Sequence, residues 1–406
     1  LSKLAAKIFV IGAFLSFLAT QFLLFAIPLV VLKSEGSIAS LGALLSIEWL
    51  PALFAFPLSG YLIDRYCALK VNRIAHFVRG CLCFISFFLL SAYPEYLFVN
   101  LSLLAGGCAF LLGFVRLSSD TVISLAFKED EKSMAKYHSA LQTAELSSMM
   151  IGASLAGLAS MWFDTALLLL VAGATFLLAF MATLPVQVEQ VRQTTKRQFV
   201  SSVKFGARYI RNSDTLKGIV LINFSLNLMV GVIIGLNPAL VVSIFAMEDA
   251  YFGYLNMAGG LASVGALALI PVLLKQYSIS RIGAFGCVLC ISAALMMVGS
   301  ADYYVYLSLY VTYLVGLALY NIYNRTQRAK VIPKADFGSV MGVFYVINMV
   351  SLPLSGLLIY LFAEQVAPLT IILSTALVTL CCVFVAYVLF LKNSHVELHK
   401  KSIGNI

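Results

Sequence analysis

The stretch ALLLLVAGATFLLAFMATL, residues 166–184, contains no charged side chain. A helix rises 1.5 Å per residue, so about 20 mainly apolar residues cross a hydrocarbon core of about 30 Å. Backbone polar groups cannot stay unpaired there, so a run of this kind must be helical. Such runs recur at roughly 6–32, 38–62, 75–93, 96–124, 138–162, 164–185, 216–246, 251–274, 279–300, 303–325, 337–362 and 366–391. Of the 406 residues, 61% are hydrophobic and 11% charged, against about 25% charged in soluble domains. A soluble fold of this composition would expose large apolar patches. The sequence therefore predicts an all-α membrane protein with twelve transmembrane helices. The chain opens on Leu1, so a few residues are expected to precede it, and its first apolar run is too long for the core of a cleaved signal.

Most connections are short. The exception, 186–215, separates two sets of six spans. This predicts an N-terminal six-helix bundle over 1–185, a cytosolic linker over 186–215, a C-terminal bundle over 216–392 and a cytosolic tail over 393–406. Within the linker, RQFVSSVKFGARYIR puts Phe199, Val203 and Ile210 on one helical face and Lys204, Arg208 and Arg211 on another. This pattern reads as an amphipathic helix on the cytosolic leaflet, or as a partner-binding helix.

An even number of spans puts both termini on one side. With that side inside, 25 of the 27 basic residues fall on the inner side, in loops or at span ends, Arg79 among them. Lys33 lies outside and Arg116 within a span. Only Lys and Arg follow this rule, and the acids split almost evenly. The net charge of +9 thus reflects topology and anionic lipid, not nucleic acid. The eight cysteines lie mostly inside apolar runs, and the Cys287/Cys290 pair has no second pair beside it. They read as apolar filler. His395 and His399 sit one turn apart in the tail without a third ligand, so no metal or other cofactor is expected.

Ionisable and amide side chains in lipid are costly, and where they occur they mark function or helix contact. Gln21 lies in span 1, Glu48 in span 2, Asn100, Arg116 and Asp120 in span 4, and Gln142 and Glu145 in span 5. Span 7 has Asn223, Asn227 and Asn237; span 8 Asn256; span 10 Asn321, Asn324 and Arg325; span 11 Asn348. Spans 3, 6, 9 and 12 carry none in the assigned interiors. Every third helix is expected to face lipid, in both halves.

This pattern resembles the major facilitator superfamily, in which helices 3, 6, 9 and 12 lie outside, 1, 4, 7 and 10 line a central cavity, and 2, 5, 8 and 11 form the contact between halves. The loop GYLIDRYCALKVNR, residues 60–73, is similar to the superfamily signature G-x-L-x-D-R-x-G-R-K at Gly60, Leu62, Asp64 and Arg65. Cys67, Ala68 and Leu69 replace its small and basic residues, with Lys70 and Arg73 displaced. The segments IGAFLSFLATQFLLFAIPLVVLKSEGS, VKFGARYIRNSDTLKGIVL and NIYNRTQRAKVIPKADFGSVMGV resemble a branch with siderophore exporters of the enterobactin-exporter type and macrolide efflux proteins. The resemblance implies two pseudo-symmetric six-helix bundles, a monomer working by alternating access, and a bacterial cytoplasmic membrane. IGASLAGLAS, residues 151–160, carries Gly152 and Gly157 of the antiporter pattern of span 5, but no proline.

Glu48 falls near mid-membrane, about 15 Å from the outer end of span 2, and Glu145 about 12 Å from the inner end of span 5. A carboxyl that meets water alternately on two sides can couple protons to transport; otherwise each is a structural carboxyl bonded to a neighbour. Arg116 and Asp120, four apart, can pair on one face, as an inner-gate latch with Asp64 and Arg65, or leave Arg116 to bind an anionic group. Tyr306, Tyr310, Tyr313 and Tyr320 share one face of span 10 with Asn324 beyond them. They read as lining for a bulky, partly polar ligand, with Gln21, Asn223 and Asn227 as further hydrogen-bonding groups; the alternative is an aromatic packing stripe. GVIIG (231–235) and GSVMG (338–342) are expected at close helix contacts. No HExxH, Walker loop or G-x-S-x-G is present, so the expected function is transport of a small molecule with protons, not catalysis. The direction read is export of a siderophore or drug-like amphiphile, with proton-symport import as the alternative.

Overall fold

The computed structural model describes residues 3–127, 130–188, 199–332 and 337–403. Among them every regular element is helical, as the apolar runs require. The first six spans are α1 (Lys3–Glu35), α2 (Ile38–Tyr66), α3 (Ala68–Ala92), α4 (Leu97–Ala126), α5 (Glu131–Trp162) and α6 (Thr165–Thr183). The linker helix is α7 (Phe199–Asn212). The rest are α8 (Asp214–Ala239), α9 (Asp249–Leu273), α10 (Ile279–Met296), α11 (Tyr303–Val331), α12 (Phe337–Met349), α13 (Ser351–Phe362) and α14 (Pro368–Ile403). Eleven helical stretches are long and apolar enough to span, with α12 and α13 together forming one of them. The polar α5, fifth in order, brings the count among the described residues to twelve, and its 32 residues exceed the length a crossing needs.

The helix starts follow local chemistry. Ser37, Asp130, Asp164, Ser278 and Asp302 each accept a hydrogen bond from a first-turn backbone N–H, satisfying donors that a helix leaves orphaned. Between α2 and α3 the chain turns on Cys67, at φ 92°. This is where the superfamily signature has glycine, and glycine adopts that backbone without a Cβ clash.

The contacts divide the chain into two compact units. One comprises Leu1–Thr194 with Asn237–Met257, the other Thr195–Leu236 with Ala258–Ile406. In the first unit α1 packs on α5 and α6, α2 on α4, and α3 on α4 and α6. Gly106 and Gly113 let α4 approach α2 at Ile47 and Ala55, and Gly152 lets α5 approach α1 at Leu18 and Gln21. In the second unit α10 and α11 cross backbone to backbone: a Cβ on Gly286 would stand 2.7 Å from the Gly316 carbonyl oxygen. Of the two G-x-x-x-G steps, Gly231 of the first packs on Ser355, whereas Gly342 of the second faces open space. The glycines closest to another backbone here, Gly286 and Gly316, lie outside both steps.

Large apolar side chains stand exposed on α3 (Ile85, Phe88), α6 (Val171, Met181), α10 (Phe285, Val288) and α14 (Phe384, Tyr387). These are the third, sixth, ninth and twelfth spans, expected to face lipid. The linker helix α7 packs on α12. Its Ile210 is buried with Leu216, Ile332 and Phe344, so part of the apolar face expected on the membrane is covered by protein. Lys204, Arg208 and Arg211 remain exposed.

Candidate functional site

In the first unit the ionisable side chains form separate groups. Glu48 on α2 is buried and faces Cys108 of α4. Among the described residues it forms no salt bridge. Glu145 of α5 pairs with Arg116 of α4, both side chains about 30% exposed. The i,i+4 spacing allows Arg116 to pair with Asp120, but Asp120 instead meets His138 at 3.5 Å. The two acceptors compete, and a carboxylate on the adjoining helix takes the guanidinium. Glu145 is thus half of an ion pair that bridges two helices, not an isolated carboxyl. Gln21 of α1 is buried with no partner for its Oε1 among the described residues. The side chains of Asp64 and Arg65, and those of the tail histidines His395 and His399, lie outside the described residues.

Arg79 corrects the sequence reading, which counts it with the inner-side basic residues at the start of span 3 and leaves the interior of that span free of polar groups. The helix begins at Ala68, so Arg79 lies well inside α3 and is fully buried. Its guanidinium donates to Ser16 Oγ at 2.9 Å and to Thr20 Oγ1, and stacks 4.0 Å from the Phe176 ring centroid. Asn72 and His76 of the same helix are buried too, with Asn72 donating to Ser118 and Ser119. Arg73 donates to the carbonyls of Thr183, Leu184 and Val186, closing the C-terminal end of α6. Lys33, the one basic residue read as outside, pairs with Asp249 at the start of α9. Nearby, the Phe25 and Phe252 rings meet edge-on at 5.6 Å.

In the second unit three asparagines form a ladder across three helices. Asn324 of α11 donates to Asn223 of α8, Asn223 donates to Asn348 of α12 at 2.7 Å, and Asn348 donates to the Phe344 carbonyl at 2.7 Å. Asn324 Oδ1 has no partner among the described residues. Arg328, one turn further along α11, is buried and stacks on Phe344 and Tyr345. Tyr306, Tyr310, Tyr313 and Tyr320 are all buried. Tyr310 packs over Gly259 and the Tyr320 backbone over Gly286, and Tyr313 lies against Cys290. These contacts are with α9 and α10 inside the unit. Asn227 is half-buried. The sequence reading misses Arg79 and Arg328 because its helix ends, at 75 and 325, stop a turn or more short of Ala68 and Val331, which leaves Arg79 at a span end and Arg328 in a loop.

Long apolar helices that carry ion pairs in one unit and an amide ladder in the other define a polytopic membrane protein. The Major Facilitator Superfamily model matches residues 9–355, and the chain belongs to that superfamily. No curated protein matches the sequence significantly. Solved structures share the fold at low identity. A single-residue mutant of the nucleoside transporter NupG aligns over 95% of this chain and 100% of its own, with TM-score 0.76 and 15% identity. A bacterial homologue of the iron transporter ferroportin, in an inward-facing state, aligns over 97% and 99%, with TM-score 0.70 and 17% identity. A bacterial homologue of the human lysosomal transporter Spinster aligns over 96% of both chains, with TM-score 0.65 and 12% identity.

Proposed function

We propose that this superfamily member is a secondary active transporter that works by alternating access, exporting a siderophore or similar small amphiphile in exchange for protons. The observation that carries the reading is the pair of carboxyls inside the N-terminal spans, Glu48 buried with no salt bridge among the described residues and Glu145 held by Arg116. Protonation of Glu145 would release Arg116, whose guanidinium could then bind an anionic group of the cargo. The buried amides of α8, α11 and α12, with the half-buried Asn227, supply hydrogen bonds in the C-terminal spans. The buried tyrosines of α11 hold their helix against α9 and α10, and lining the cargo's path would require the other conformation of the cycle to expose their rings. The protein is read as a monomer in a bacterial cytoplasmic membrane, with both termini in the cytosol and no cofactor.

The missing proline in IGASLAGLAS favours a second reading, proton symport into the cell. Purified protein in proteoliposomes separates the two, using a panel of siderophores and macrolides and an imposed pH gradient. Exchange predicts cargo movement against the proton flow; symport predicts movement with it. Glu48→Gln and Glu145→Gln are each expected to lower pH-driven flux at least tenfold while cargo binding persists. Full pH-driven transport in both variants would remove the proton role of these carboxyls.

A further inference from the structure

A second polar rung lies beside the Arg116–Glu145 pair where α4 meets α5. Arg116, Asp120 and Ser124 stand four apart on α4, so they form one stripe. Glu145 and His138 stand seven apart on α5, two turns of one face. His138 Nε2 lies 3.0 Å from Ser124 Oγ, and Nδ1 lies 3.5 Å from Asp120 Oδ1. Ser124 gives its one hydroxyl hydrogen to the Asp120 carbonyl at 2.8 Å, which leaves its oxygen to accept from the ring. Both ring nitrogens thus face acceptors, an arrangement that suits the doubly protonated imidazole. Along α5, His138 is about 36 Å from Trp162, the last residue of the helix, and hydrocarbon is only about 30 Å thick. His138 therefore sits at the interface read as cytosolic, about 10 Å nearer that side than Glu145. Asp120, between the two, interacts electrostatically with His138, Glu145 and Arg116 alike. The other basic groups described at this end are exposed or engaged elsewhere. Lys7 of α1, Lys70 of α3 and Lys136 of α5 are exposed, and Arg73 of α3 donates to the end of α6. Helix α6 itself carries no charged side chain.

We propose that His138 and Asp120 form the cytosolic exit for the proton carried on Glu145, worked by a change of partner at Arg116. This inference rests on the proton role read for Glu145 above. The observed pairing, Glu145 with Arg116 and Asp120 with His138, is that of an ionised Glu145. A proton on Glu145 cancels its charge. With no cargo anion bound, Arg116 then turns to Asp120, four residues along its own helix. His138 loses the carboxylate that faces Nδ1, keeps its Nε2–H on Ser124, and gives the Nδ1 proton to water, which reaches a side chain 34% exposed. When Glu145 later gives up its own proton, Arg116 returns to it. That proton passes by way of water and the Asp120 carboxylate to His138 Nδ1, and the ring is loaded again. One proton has entered at Glu145 and one has left at His138.

The test needs no cargo. Nitrogen-15 NMR of histidine-labelled protein in detergent follows the chain's four imidazoles, and His138→Gln assigns the signal of interest. Glu145→Gln stands in for the protonated carboxyl. It is expected to lower the titration midpoint of His138 by about one pH unit, because the ring loses the negative charge that faces it. Asp120→Asn should do the same, and Glu95→Gln, in the exposed turn before α4, should change nothing. Adding Glu145→Gln to Arg116→Gln should leave the midpoint where Arg116→Gln alone sets it, since no guanidinium remains to change partner. Elution and melting temperature report folding. An unchanged midpoint in Glu145→Gln would overturn the exit and leave the proton role of Glu145 to its own flux test. A drop of the same size without Arg116 would overturn the partner change, since it would reflect only the loss of a distant charge. A lowered midpoint beside full pH-driven flux in Glu145→Gln would remove the proton role, and the exit with it.

Discussion

Arg79 is a full guanidinium enclosed by two hydroxyls and a phenyl ring, with no carboxylate salt-bridged to it among the described residues. Burying such a group costs several kcal/mol, offset only by good hydrogen bonds and by contact with the ring's electron-rich face. Its bulk also fills space that neighbours cannot easily close. Arg79→Ala is therefore expected to lower stability by about 3 kcal/mol, chiefly as a cavity. Arg79→Met, which keeps most of the volume and removes the desolvation cost, should recover most of that loss. Thermal unfolding in detergent checks the pair; an Ala variant as stable as wild type would show that the site collapses freely. The sequence reading places Arg79 a few residues from a span start because Lys70, Asn72 and Arg73 break the apolar run before residue 75, whereas the helix itself begins at Ala68.

At the scale of elements, the α2–α3 turn is where sequence and conformation disagree. The superfamily signature has glycine at the position of Cys67, and the φ of 92° is a region that side chains with a Cβ occupy at a cost of about 1–3 kcal/mol. Cys67→Gly is expected to raise stability by about 1 kcal/mol, after the extra freedom of glycine in the unfolded chain is subtracted. A higher melting temperature in detergent checks this, and an unchanged or lower one would count against the strain. Helix existence and type were legible throughout, since long apolar runs in lipid have no other fold. Helix contacts were less so. Gly231 is found from its G-x-x-x-G spacing, but the Gly286–Gly316 crossing joins two sequence-distant glycines, and no local pattern pairs them.

Across the molecule, the segment Asn237–Met257 groups with the first six spans and not with the helices that flank it in sequence. Lys33 and Asp249, far apart in the chain, close that contact. Under the proposed alternating access this junction must open in each cycle. Cysteines at Lys33 and Asp249, in a chain freed of its eight native cysteines, should therefore allow transport while reduced. Joined by a short thiol crosslinker with a cleavable disulfide, they should block it, and reductant should restore it. Unimpaired flux in the joined protein would mean that this end does not part during the cycle.

The sequence alone determined the helical class and the approximate number of spans, because each follows from local hydropathy against a bilayer of fixed thickness. It also drew attention to Glu48, Glu145 and Arg116, since charge within an apolar run is visible without coordinates. Only the tertiary structure decided the partners: Glu145 for Arg116, His138 for Asp120, Asp249 for Lys33, and Ser16, Thr20 and Phe176 for Arg79. Pairing inside a bundle depends on how helices distant in sequence are brought side by side. Spacing along one helix fixes which side chains share its face, but not which charge on the next helix reaches them first.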